Sequence, residues 1–201
     1  DWAVTGAFGD NLKDTARTLA RDLNVSTTDL QHLEQLGICI NYNGYGPAIE
    51  DLHFDPEDLY RRLLAAESAL DFVHSSADFT RLSEGYASDM AMAAGLSSAY
   101  ENDDVAVFQL PDEAWARRVS GVYSNDLAIE NPARAHAVLT QKANGNFLVS
   151  VRAPLQNKQG AAELCMQFPT GGGRAAAAGI NDLPAAMMDD FVAALSAAYK
   201  R

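Results

Sequence analysis

The chain has 201 residues, 48% of them apolar and 21% charged, enough for one ordinary domain or two small ones and too apolar for a disordered or fibrous protein. No run of eighteen apolar residues occurs, and the N-terminal DWAVTGAFGD has neither the basic start nor the greasy middle of a signal peptide, so a membrane-spanning or secreted protein is not expected. The net charge of −12 is unevenly placed: residues 1–103 hold 18 Asp/Glu against 6 Lys/Arg, whereas residues 104–201 hold 9 against 9. That shift predicts two units, 1–103 and 104–201. It also argues against general nucleic-acid binding, which Lys and Arg drive. Any polyanion must be held locally, by the second half. Cys39 and Cys165 lie far apart in apolar runs, as free buried thiols of a reducing, cytoplasmic compartment do.

In chain order, Trp2, Val4 and Phe8 read as a strand end opening into Gly9-Asp10. Leu12 to Leu23 has helical spacing. Ser26, Thr27 and Thr28 are cap candidates for a helix from Asp29 to Leu36, stopped by Gly37. Asn41 to Pro47 is a loop, and Asp55-Pro56-Glu57 opens a helix that runs to about Val73. Another helix runs from about Asp78 to Ala99. Beyond Asp104 the pattern turns to strands: Val105 to Leu110, Ala135 to Thr140 and Phe147 to Val151, the last two joined by a turn at Ala143-Asn144-Gly145-Asn146. Helices are predicted from Asp112 to about Val122, from about Gly160 to Phe168, and from Pro184 to about Tyr199. The fold class is α/β (α+β), a helical N-terminal half followed by a small mixed-sheet domain flanked by helices.

The most specific stretch is Phe168 to Gly179. Gly171, Gly172 and Gly173 together cost backbone entropy, so positive φ or close approach is needed there. A loop of that kind can form an anion nest beside Arg174; the bland reading is a tight turn with Arg174 in solvent. Arg152 ends an apolar strand, either as the second arm of a phosphate clamp or as the structural partner of a carboxylate such as Glu163. Asp10 either caps a helix or holds a metal at a strand end. His32, His53, His74 and His136 are scattered without zinc-pair spacing; His32 and His74 read as fillers, and His136 is the one to watch.

Val149-Ser150-Val151-Arg152, a helix, and then the glycines with Ala-Ala-Gly resemble the C-terminal domain of the DHH phosphoesterase superfamily. Thr5-Gly6-Ala7-Phe8-Gly9-Asp10 resembles its fourth motif, which ends in a metal-binding aspartate. The resemblance spans the whole chain. It implies that the helical half continues from a DHH domain lying upstream, and that the chain, which lacks an initiator Met, is a fragment. It further implies Mn²⁺ or Mg²⁺ in the full-length protein, with Asp10 a metal ligand and none stably bound by this fragment. Ser150, Arg152, Gly171, Gly172, Gly173 and Arg174 would hold substrate phosphate. The implied function is the substrate-binding part of a metal-dependent hydrolase of phosphodiesters or phosphates. Its partner would be a phosphorylated small molecule or a short single-stranded oligonucleotide, with a homodimer left open. Two departures stand out. Asp-His-His is absent, so the fragment is expected to be inactive alone, and Arg174 occupies the place of a histidine. The alternatives are a non-catalytic nucleotide-binding module and an acyl-coenzyme A-dependent acetyltransferase.

Overall fold

The computed structural model describes residues 1–200, which form two compact units, Asp1–Met90 and a second from Ala91 onward. The division falls inside a helix, earlier in the chain than the 103/104 position at which the charge balance changes.

The first unit is helical: α1 (Trp2–Gly9), α2 (Lys13–Asp22), α3 (Thr27–Tyr42), α4 (Pro56–Ala65), α5 (Ala69–Ser75) and α6 (Ala77–Ala94, which crosses into the second unit). The expected strand at the N-terminus is a helix. Val4 and Phe8 are spaced i,i+4 as well as by two, and both are buried with Leu33 and Leu36 of α3 in one core. Nor does α3 stop at Gly37. That glycine lies where α1 crosses, and a Cβ on it would stand 2.3 Å from the Thr5 carbonyl oxygen and 2.8 Å from the Gly9 nitrogen. Gly37 therefore permits close packing, which offsets the roughly 1 kcal/mol that an interior helical glycine costs. Side-chain caps start α3 and α4. The Ser26 hydroxyl accepts from the Asp29 N–H, and Asp55 accepts from the Glu57 N–H with Pro56 in the first turn. The single helix expected from Pro56 to Val73 is two, because Ser68 caps a fresh start by accepting from Asp71 N–H.

The second unit is a six-stranded sheet in the order β1-β2-β3-β4-β6-β5, with strands β1 (Tyr100–Glu101), β2 (Val105–Leu110), β3 (Ala135–Gln141), β4 (Phe147–Arg152), β5 (Gly171–Arg174) and β6 (Ala177–Leu183). Only β2 and β3 run parallel, linked by α7 (Ala114–Glu130); the other neighbours are antiparallel. Helices α8 (Ala161–Cys165) and α9 (Met188–Tyr199) complete it. Alternation decides the layers. Val105, Val107, Ala137, Leu139, Val149, Val151 and Ile180 point to one face and are buried against Leu164, Phe191 and Leu195 of α8 and α9. The other face is covered over β3 and β4 by α7, whose Tyr123 ring meets Phe108 edge-on at 5.7 Å between centroids.

Candidate functional site

The glycine-rich stretch is a strand, not the expected loop. Gly171–Arg174 pairs antiparallel with β6 and ends the sheet, so the backbone N–H and C=O groups on its outer edge have no strand partner. The extended backbone replaces the turn-like nest, and the Gly171 N–H already donates to the Phe168 carbonyl at 3.1 Å.

The three glycines have different reasons to be there. A Cβ on Gly171 would lie 1.8 Å from the Cys165 carbonyl oxygen, so α8 packs directly on that backbone. Gly173 has φ of 141° and would meet Ala178 at 2.5 Å. Gly172 faces the other way, and nothing lies within 4 Å of where its Cβ would be. Packing explains two glycines and leaves the third open. Thr170, just before them, holds a left-handed φ of 62°, while its Oγ1 accepts from the Asp182 N–H at 2.9 Å and its carbonyl from the Asn181 N–H at 3.3 Å.

Sheet register brings the named residues together. Directly paired residues share a face. One row runs His136–Arg152–Ala177–Arg174, and the adjacent row runs Val138–Ser150–Gly179–Gly172. Arg152 and Arg174 are thus separated by one alanine strand position, about 10 Å at ordinary strand spacing. Between them lies a floor of Ala177, Gly179 and Gly172, all half-buried and without bulk. Gly171 and Gly173 lie on the opposite face, so of the three glycines Gly172 alone joins Ser150 and the arginines.

Arg152 is oriented rather than loose. Its Nε donates to Asn125 Oδ1 of α7 at 2.7 Å, and its Nη1 donates to Ser150 Oγ at 2.9 Å and to the Val151 carbonyl at 3.2 Å. Arg174 is exposed at the sheet's edge. His136, next to Arg152 in the row, is 1% exposed. Burial, with the Arg134 charge nearby, pushes its pKa down to about 4, so the ring is neutral near pH 7. Both cysteines are free and buried as expected, with burial pushing Cys39 up to about 12 and Cys165 up to about 11.

Asp10 is not at a strand end. It is the exposed C-cap of α1, at the rim of an apolar cleft of about 540 Å³ lined by Trp2, Gly6, Ile40, Tyr60 and Leu63. Among the described residues it belongs to no cluster of three metal-ligating groups. The cluster that does occur, Asp29 with His32 and His74, was invisible as sequence because its members come from two helices.

Neither a protein-family pattern nor any curated protein matches the chain. Solved structures do. The pGpG-specific phosphodiesterase PggH from Vibrio cholerae superposes with a TM-score of 0.58 at 13% identity, over 81% of this chain and 57% of that one. RecJ from Thermus thermophilus, in complex with Mg²⁺, gives 0.59 at 20% identity, over 90% of this chain and 27% of its own. A manganese-bound exonuclease RecJ gives 0.58 at 18%, over 96% and 45%. The chain spans little more than half the length of PggH and less than half that of either RecJ. At such identities the likeness is one of fold, and the neighbours share one superfamily. The chain has the fold of the DHH phosphoesterases that its motifs resemble.

Proposed function

We propose that this chain is the substrate-binding part of a DHH-type metal-dependent phosphoesterase, with Ser150, Arg152, Gly172 and Arg174 holding a phosphate of a nucleotide or short oligonucleotide. The observation that carries the reading is the pair of rows that sets Ser150, Arg152, Gly172 and Arg174 around a floor of small residues. Arg152, steadied by Asn125 and Ser150, holds its positive charge in a fixed position beside this floor, so binding an anion there costs little further side-chain entropy. The absence of a side chain on Gly172 lets an anion approach the backbone. Gly171 and Gly173 support this strand from behind rather than touching the ligand.

The fold family implies two Mn²⁺ or Mg²⁺ ions, and Asp10 is the residue whose motif position matches a ligand. One exposed carboxylate beside an apolar cleft does not make a two-metal centre. No hydrolytic step is therefore assigned to these residues. Their task is to bind and orient.

A second reading, a non-catalytic nucleotide-binding module, is favoured by Arg174, which keeps a cation in the histidine's place but cannot donate or accept a proton in catalysis. The transferase reading loses its basis, since the glycines continue into a strand hairpin and not into a helix N-terminus.

Calorimetric titration of a nucleoside monophosphate into the chain and into Arg152→Ala tests the binding face. A ten- to hundredfold loss is expected, the equivalent of about 1.5–3 kcal/mol for a charge-assisted contact. Equal affinity in the two proteins would remove the phosphate site. Hydrolysis by the longer protein, with Mn²⁺ added, then separates the enzyme from the module.

A further inference from the structure

Three metal-ligating side chains converge in the helical unit, away from Asp10. Asp29 and His32 are three apart on α3 and so share a helical face, and His74 reaches them from α5. One ligand atom of each lies within 4.8 Å of the others. The two imidazole rings stand edge-on with centroids 5.2 Å apart.

Two further observations fit an ion here. The Nδ1 atom of His32 is buried and has no hydrogen-bond partner, an unmet need of the kind that a bound ion explains. The Asp29 carboxylate is already steered, because its Oδ2 accepts from the Ser26 hydroxyl at 2.8 Å while its backbone N–H donates back to Ser26 Oγ. Such outer partners commonly fix a ligating carboxylate.

We propose that Asp29, His32 and His74 form a binding site for a divalent transition-metal ion of the zinc class, tying α5 to the first two turns of α3. Two imidazoles and one carboxylate suit Zn²⁺, whereas Mg²⁺ and Ca²⁺ prefer oxygen alone. A tetrahedral zinc ion with bonds of about 2.0–2.1 Å needs ligand atoms about 3.3 Å apart, so side-chain rotation of an ångström or so closes the site around the ion and leaves a fourth position for water. His74 is exposed and gives the ion its way in. The site does not depend on the phosphate-binding reading.

The test is calorimetric titration of Zn²⁺ into the untagged chain in excess Mg²⁺, with thermal melts alongside. One ion per chain and a zinc-dependent rise in melting temperature are expected. His74→Ala, at an exposed position that folding tolerates, should weaken Zn²⁺ at least about 100-fold, since even outer-partner losses cost 10- to 100-fold. His32→Gln should do the same, and Asp10→Asn should change nothing. Co²⁺ substitution should give a visible absorption band that His74→Ala abolishes. Absence of saturable one-to-one zinc uptake, or uptake undiminished in both histidine variants, would overturn the site.

Discussion

The two faces of the second unit's sheet are built from the same strands and differ in almost every physical respect. One face buries valines, leucines and Ile180 against α8 and α9, and its close contacts run down to backbone level at Gly171. The other is roofed by α7 over β3 and β4 and carries serine, arginine, alanine and glycine where β4, β6 and β5 meet. A side-chain period of two lets a single glycine triplet serve both faces. The lesson is that neighbouring identical residues can have opposite roles, with packing tolerance separating them.

The largest expected effect lies on the closed face. Gly171→Ala puts a methyl on the Cys165 carbonyl, so either β5 or α8 must move. A loss of more than about 3 kcal/mol, beyond the usual range for overpacking, should appear in urea denaturation. Near-normal stability would mean that α8 is not seated on β5.

Next comes the pH response of His136, which lies at the roofed end of the arginine row. Its folded pKa of about 4 is below the ordinary 6.5, so between those values the unfolded chain holds a proton that the folded chain refuses. Stability should fall as pH drops through that window, by about 3 kcal/mol in all, and level off below it. Urea midpoints at pH 7 and pH 4.5 measure this. His136→Gln should flatten the slope; an unchanged slope would assign it to other groups.

The arginines sharpen the contrast within the open face. Arg174→Ala should reduce nucleoside monophosphate affinity about tenfold and leave the melting temperature alone, because the side chain is exposed. Arg152→Ala should lose affinity and stability together, since Asn125 and Ser150 lose their partner. If Arg152→Ala lowers the melting temperature with affinity intact, that arginine belongs to the scaffold.

A similarly small effect on stability is expected at Gly172→Ala, within about 0.5 kcal/mol, because its Cβ enters open space. The same methyl should hinder an anion approaching β5. Gly172→Ala with full affinity would show that the ligand does not reach the strand.

The sequence by itself determined what depends on near neighbours. Ser26 and Asp55-Pro56 announced their helices because capping is local hydrogen bonding. The apolar runs of β2, β3 and β4 were legible because burial leaves its period in the residue types. Arg152 and Arg174 could be picked out as cations at a strand's end and beside a glycine run, whereas Ser150 was named only through the family resemblance. Tertiary structure alone decided the rest. Gly37 looks like a stop signal until α1 is laid across it, and the N-terminal Val4 and Phe8 fit either period until a partner surface chooses. Which glycine is free was settled by where α8 packs. The pairing of His32 with His74, forty-two positions apart in sequence, was settled by the packing of α5 on α3. Those outcomes rest on contacts between distant segments, and residue order encodes such contacts only through the packing of the whole unit.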